Sequence, residues 1–334
     1  MAKTRISGRY LAKRVLVSIL IIWAIMTLLF ALLKALPGDY ASIITASPNL
    51  DQETLQNLKE SYGLGEPLWK QYLKFLRNYL MLDFGYSVQK PRPVVDVIFT
   101  RLPRTLALFG TAFLLQYTIG VFAGIHFGWL RGSRTDKSGF TLGLTLYSIP
   151  FFWLAWILLL IFAYKGFGIT WFPIANMTPA FKSVFGAFAF LGGVLKHMFL
   201  PLASLTIVGW GSAMLVTRTS MQEVLDEDYI ETATAKGLSP ATVKYKHAAR
   251  NALIPVITQA LVAVAFAIDG SVIVETVFSW PGIGLLLIQS ITTRDFPVAL
   301  AAFFMLGIII VTMRLVTDIV YTYLDPRIKF GEQQ

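Results

Sequence analysis

Six predominantly apolar runs divide this chain, at approximately residues 11–33, 106–129, 141–164, 198–219, 254–277 and 298–321. About twenty apolar residues carry a helix across a bilayer. The pattern therefore predicts an all-α integral membrane protein with six transmembrane helices. A long insertion, residues 37–104, separates the first two runs. Within it, Leu55, Leu58 and Tyr62 recur at helical spacing, and Leu68, Tyr72, Phe75, Leu76, Tyr79 and Leu80 continue the pattern. Pro37-Gly38, Gly63-Leu-Gly65 and Pro91-Arg-Pro93 punctuate it. A small, mostly helical external subdomain packed on the span ends is expected. It serves either as a structural lid or as a docking surface or substrate entrance.

A polar stretch from Asp226 to Pro255 interrupts the fourth and fifth runs. It reads as two helices around a corner. Asp226, Glu227 and Asp228 place negative charge where the first begins, and Lys236 places positive charge where it ends. Gly237 follows as a left-handed terminator. Ser239 caps the second helix, with Pro240 at its first position, and that helix is expected to stop before Pro255. Val224, Leu225, Tyr229 and Ala233 fall near helical spacing on one side of the first helix, with small Ala233 and Ala235 allowing close approach of another surface. A plain charged surface helix is the alternative reading.

Two further connections have character. Residues 165–197 carry Trp171, Phe172 and Pro173, which suit an interfacial anchor. Phe278-Ser-Trp-Pro-Gly-Ile-Gly284, residues 285–290 and Arg294-Asp-Phe-Pro297 enclose a short apolar segment. A re-entrant or interfacial helix is expected there, buried in protein or lining a cavity, and a plausible piece of a gate.

Composition agrees. Of 334 residues, 55% are hydrophobic and only 14% charged, below the roughly 25% of soluble domains. The net charge of +10 reflects basic loops and anionic lipid rather than nucleic acid. Basic residues cluster before the first run (Lys3, Arg5, Arg9, Lys13, Arg14), after the second (Arg131, Arg134, Lys137), after the fourth (Arg218, Lys236, Lys244, Lys246, Arg250) and after the sixth (Arg327, Lys329). With six spans these segments share one side, which the positive-inside rule makes cytoplasmic together with both termini. The first run is too long for the apolar part of a cleaved signal. There is no cysteine, which excludes disulfides and thiolate chemistry. His126, His197 and His247 lack metal-ligand spacing. No nucleotide-binding loop, zinc-protease helix, nucleophile elbow or dinucleotide fingerprint is present. No catalytic or metal residue is assigned, and the chain is not expected to hydrolyse ATP itself.

Charges within spans are costly and informative. Asp269 and Glu275 fall in or near the outer half of the fifth run. Arg314 and Asp318 stand four apart in the sixth, placed to pair on one face. Asp269 has no partner nearby in sequence; it either faces a water-filled path to meet a cationic substrate group or pairs with another subunit. With Trp280, these residues are the candidates for pathway or gate.

These residues resemble the permease subunits of binding-protein-dependent (type I) ABC importers of the dipeptide and oligopeptide class. Tyr229-Ile-Glu-Thr-Ala-Thr-Ala-Lys-Gly237 looks like that family's cytoplasmic coupling motif, and His247-Ala-Ala-Arg-Asn-Ala-Leu-Ile-Pro255 like its continuation. Val274-Glu-Thr-Val-Phe-Ser-Trp-Pro-Gly-Ile-Gly284, Pro37-Gly-Asp39, residues 68–72, Arg101-Leu-Pro-Arg-Thr105 and Asp325-Pro-Arg327 resemble other signatures, so the likeness covers nearly the whole chain. At Asp269-Gly270 the family more usually shows small residues. The resemblance implies residues 1–36 as N-terminus and first span, 37–104 as external insertion, 105–323 as a five-helix core with its coupling loop at 220–253, and 324–334 as a cytoplasmic tail. It implies a multi-pass protein of a prokaryotic cytoplasmic (inner) membrane that forms half of a pathway for peptides. A second homologous permease, two ABC ATPase subunits carrying ATP and Mg, an external substrate-binding protein and membrane lipid are its implied partners. Tyr229, Glu231, Ala233, Ala235, Lys236 and Gly237 would couple to an ATPase, the apolar side of their helix facing that partner. Oligosaccharides, glutathione and nickel chelates remain alternative cargoes within the class. A stand-alone secondary transporter or channel is the rival from another class, and a membrane enzyme a weaker one.

Overall fold

A computed structural model describes residues 8–35, 52–89, 92–164, 170–175, 186–266 and 271–324. Among them the regular structure is helical, with one isolated antiparallel bridge between Tyr86 and Pro93. The helices are α1 (Gly8–Ala35), α2 (Gln52–Tyr62), α3 (Leu68–Leu80), α4 (Val94–Trp129), α5 (Arg134–Tyr147), α6 (Phe151–Phe162), α7 (Gly186–Leu225), α8 (Asp228–Ala235), α9 (Arg250–Phe266), α10 (Ser271–Val277), α11 (Ile283–Thr292) and α12 (Phe296–Leu324). A single turn, Pro240–Thr242, and a π-helical segment, Val243–Ala249, lead into α9.

Four described helices are long and apolar enough to cross a membrane: α1, α4, most of α7 and most of α12. Helices α5 and α6, which meet at 93°, are long and apolar enough when taken together as one bent span. The expected third span is thus not one straight helix. Ser148-Ile-Pro150 breaks it, because Pro150 cannot supply the N–H that continues α5 and instead starts α6. Of the expected fifth span, α9 and α10 are described, while residues 267–270 lie outside the described set, as do Pro37-Gly-Asp39 and Asp325-Pro-Arg327.

A second expectation fails at Pro255. The helix does not stop there; α9 runs through it, as α4 runs through Pro103 and α7 through Pro201. Ending a helix in apolar surroundings leaves several backbone groups unpaired, whereas one internal proline removes a single bond.

The chain divides into two compact units, Met1–Leu106 with Pro281–Val316, and Ala107–Trp280 with Thr317–Gln334. In the first, α3 lies on an aromatic column. Phe30 meets Phe75 at 5.5 Å between centroids, Phe75 stacks on Tyr79 at 4.1 Å, and Tyr79 meets Phe304 edge-on at 5.0 Å. Burial, with Tyr62 adding, holds the Tyr79 phenol well above its ordinary pKa. The insertion's helices at Leu55–Tyr62 spacing and Leu68–Leu80 are where periodicity placed them. The short apolar segment after Gly282 is helix α11, whose Ile283, Leu285, Leu286 and Leu287 are buried. Thr105 Oγ1 accepts the Ile283 N–H at 2.8 Å, satisfying one N–H at that helix's start.

In the second unit, α4 packs on α7 through glycines. A Cβ on Gly120 would stand 2.6 Å from Ala213 Cβ, one on Gly124 2.5 Å from Thr217 Cβ, and one on Gly128 2.7 Å from Met221 Cβ. These four-residue steps form one small stripe that lets two backbones touch. Farther along, Gly211 of α7 meets Gly143 of α5, where a Cβ would lie 2.5 Å from the Gly143 carbonyl oxygen.

Candidate functional site

The polar stretch folds as a short platform packed against α4 and α7. Asp228 opens α8 with Glu227 before it, and Lys236 closes it. Gly237 then takes φ +74°. Ser239 Oγ accepts the Thr242 N–H at 3.3 Å, and Pro240 occupies the first position of the next turn. Helix start, helix stop and second cap all follow the local chemistry that predicted them.

The apolar face behaves differently from expectation. Ile230 and Ala233 are buried, packed with Ile125, Met221, Val243, Ala248, Ala249 and Ala252 of the same chain. Val224 and Leu225 belong to the end of α7, because the chain breaks direction at Asp226 and Glu227, and they flank this cluster. The apolar side therefore does not face outward. An eight-residue helix is too short to hold itself in water, so it uses that side as its own support. What remains exposed is a polar edge: Tyr229, Glu231, Ala235, Lys236 and Gly237. Tyr229 is also held, its hydroxyl accepting from Asn251 Nδ2 at 2.7 Å. That bond fixes α8 to the start of α9.

Two ion pairs brace the platform's surroundings. Arg131 Nη1 donates to both oxygens of Asp226, at 2.6 and 2.7 Å. The hydrogen bond and charge of Asp226 raise the Arg131 guanidinium above its already high range. Arg218 of α7 grips Asp136 of α5 through Nε at 2.5 Å and Nη2 at 2.9 Å. Asp136 also accepts from Gly132 N and Gln222 Nε2, at 3.0 and 3.3 Å. The Asp136 side chain is 2% exposed. A carboxylate so buried stays charged only because four donors surround it.

Charge counting along the basic loop passed over these partners. The available signal was Ser133-Arg-Thr-Asp136, a cap with an acid three residues on. Ser133 does cap α5, accepting the Asp136 N–H at 3.0 Å.

The described pathway candidates fall on more than one element of the chain. Asp269 lies outside the described residues. Glu275 is fully buried on α10, and its carbonyl accepts the Trp280 N–H at 2.8 Å. Trp280 is itself fully buried, in an apolar cluster with Leu108, Leu158, Met198 and Phe278. It acts there as a packing residue. Phe172 joins the rim of that cluster and stacks on Phe199 at 4.6 Å, while Trp171 beside it is exposed. Arg314 is exposed and Asp318 half-buried on α12. Among the described residues no group of acids and histidines could hold a metal ion.

Residues 116–330 match the family described as binding-protein-dependent transport system inner membrane component. Residues 8–109 match the N-terminal part of a binding-protein-dependent transport system membrane component. The oligopeptide transport system permease protein AppB of Bacillus subtilis is 36% identical, over 96% of this chain and 99% of its own length. The di/tripeptide transport system permease protein DppB of Pseudomonas aeruginosa is 33% identical, over 96% and 98%. The dipeptide transport system permease protein DppB of Alkalihalophilus pseudofirmus is 34% identical, over 96% and 99%.

Proposed function

Because this chain belongs to the family of binding-protein-dependent transport system inner membrane components, we propose that it is the permease subunit of an ATP-driven peptide importer. The observation that carries the reading is full-length similarity, at 33–36% identity, to permeases named for oligopeptides, di- and tripeptides, and dipeptides. The chain is a multi-pass membrane protein of this family. In the proposal it has six spans, both termini in the cytoplasm of a prokaryote and residues 37–104 outside. A second homologous permease completes the pathway, an external binding protein delivers the peptide, and two ATPase subunits supply ATP and Mg.

The exposed edge of α8, from Tyr229 through Glu231, Ala235 and Lys236 to Gly237, is the proposed contact with an ATPase. Ala233 supports that edge from behind. A docking helix must transmit force, and one whose buried side is fastened to its own chain transmits it to the spans rather than tilting alone. Asp269, Glu275, Arg314 and Asp318 remain pathway candidates in this proposal.

The deciding experiment is uptake of labelled di- and oligopeptides by cells with and without this chain, before and after ATP depletion. Uptake that needs both the chain and ATP supports the proposal. ATP-independent uptake that follows an ion gradient would overturn it in favour of a secondary transporter. Uptake competed only by glutathione, an oligosaccharide or a nickel chelate would keep the class and change the cargo.

A further inference from the structure

Helix α3 carries more apolar surface than its core contact uses. Tyr72, Phe75 and Tyr79 form one stripe, which meets Phe30 and Phe304. Trp69, Leu73, Leu76 and Leu80 form a second stripe, at i, i+4, i+7 and i+11. At 100° per residue the second stripe lies about a quarter-turn from the first. Trp69 is 62% exposed, Leu73 55% and Leu80 66%; Leu68 and Met81 at the two ends are exposed as well. Lys70, Lys74 and Arg77 form a third, cationic sector beside it. The helix therefore has three faces: core, uncovered apolar and basic.

Its position relative to α1 tells what medium the second stripe meets. Thr27 Oγ1 and Tyr72 Oη share a hydrogen bond at 2.7 Å, and Lys34 Nζ donates to Gln71 Oε1 at 2.5 Å. Residues 27 to 34 of α1 rise about 10 Å. Their partners Gln71, Tyr72 and Phe75 occupy little more than one turn of α3. The two helices thus cross rather than run side by side. The crossing sits where the apolar run of a membrane span ends at a lysine, which is the level of the lipid headgroups. Leu28 and Leu32, between the contacts, are exposed, so the lipid-facing side of α1 reaches the crossing.

We infer that α3 lies flat in the membrane surface as an interfacial helix, with Trp69, Leu73 and Leu80 in the lipid acyl region. Lys70 and Arg77 lie at the level of anionic headgroups. Lys70 Nζ stands 5.6 Å from the Trp69 ring centroid, a pairing that puts the ring at the boundary and the ammonium in the polar layer. Lys74 is already engaged by Glu66 at 2.9 Å and contributes less to the headgroup contact. Leu82, at φ +58°, turns the chain sharply after Met81 and ends the flat segment. The insertion is then bound to lipid along one edge rather than standing clear of the membrane.

The chain contains no cysteine, so an introduced cysteine is its single labelling site, with the cysteine-free parent complex as the labelling control. Nitroxide labels at Trp69→Cys, Leu73→Cys, Leu80→Cys, Lys70→Cys and Arg77→Cys would be compared in the full chain. The chain, with the subunits that co-purify, would be placed in vesicles of phosphatidylethanolamine and phosphatidylglycerol. Labels at 69, 73 and 80 are expected to collide severalfold more with oxygen than with a water-soluble nickel chelate, and labels at 70 and 77 to show the reverse. All five positions are exposed, so the substitutions are expected to leave the fold intact. Labels at 69, 73 and 80 that collide freely with the nickel chelate would place α3 in water and overturn the inference. Labels there that are immobilised and reached by neither reagent would show a protein partner covering the stripe, which overturns it equally.

Discussion

Ser87 and Asp295, 208 residues apart, are joined by a buried hydrogen bond in which the serine hydroxyl donates to the carboxylate. Asp295 also accepts the N–H groups of Val88 at 3.1 Å and Gln89 at 3.4 Å. Gln89 Nε2 returns a bond to the Thr293 carbonyl at 2.9 Å. One carboxylate thus ties the end of the insertion to the turn between α11 and α12. Arg294 stands at φ +58° to make that turn.

Asp295→Ala removes the carboxylate that accepts from Ser87, Val88 and Gln89, in a site where Asp295 is 4% exposed. Hydrogen bonds to a charged group contribute about 1.5–3 kcal/mol each. The thermal unfolding midpoint of the detergent-purified protein should fall by several degrees, with Ser87→Ala costing less and the double variant little more than Asp295→Ala. Additive losses would show that the two residues act independently.

The buried Asp136–Arg218 pair makes a similar but sharper case. Removing one partner of such a pair costs about 3–5 kcal/mol, because the other charge stays buried. Arg218→Met and Asp136→Asn should each lower stability strongly, and the double variant should recover part of the loss. Arg218 also lies 4.9 Å from the Phe140 ring centroid, so recovery will be incomplete. A double variant as damaged as the sum of the singles would refute coupling.

At the α4–α7 contact, Gly124→Ala places a methyl 2.5 Å from Thr217 Cβ and 2.7 Å from the Met214 carbonyl oxygen. Overpacking of this kind costs about 1–3 kcal/mol. Gly110 lies in the same helix with nothing within 4 Å of an added Cβ. Gly110→Ala should be neutral or stabilising, by up to about 1 kcal/mol of helix propensity. Equal unfolding midpoints for the two variants would mean the helices do not meet through the stripe.

What the sequence made legible was local. Ser239 before Pro240, Gly237 after Lys236, and the spacing of Leu68, Tyr72, Phe75 and Tyr79 each act within a turn or two of chain, and each folds as read. What escaped depends on surroundings that hydropathy does not encode. Counting apolar residues finds a span but not the 93° break after Ser148, nor the passage of α9 through Pro255. Gly120, Gly124 and Gly128 add nothing to a hydropathy sum, yet their spacing lets α4 and α7 approach closely. In the stretch from Asp226 to Pro255, the helix ends were readable, but which face α8 turns outward depends on a cluster built from α4, α7 and the π-helical segment.

That distinction separates two substitutions in the platform that would otherwise look alike. Ala233→Arg drives a cation into the cluster of Ile230, Met221 and Ala248, so it should lower both the unfolding midpoint and uptake. Gly237→Asp is different. An added Cβ there meets nothing within 4 Å, and φ +74° costs an aspartate only about 1–2 kcal/mol. The variant should fold, yet its new charge and side chain sit on the exposed edge beside Lys236. Uptake and substrate-stimulated ATPase activity of the assembled transporter should therefore collapse while the unfolding midpoint moves by only a few degrees. Glu231→Lys, exposed on the same edge, should behave in the same way. If both exposed variants transport normally while Ala233→Arg fails, α8 is a structural strut and the proposed ATPase contact does not run through its exposed edge.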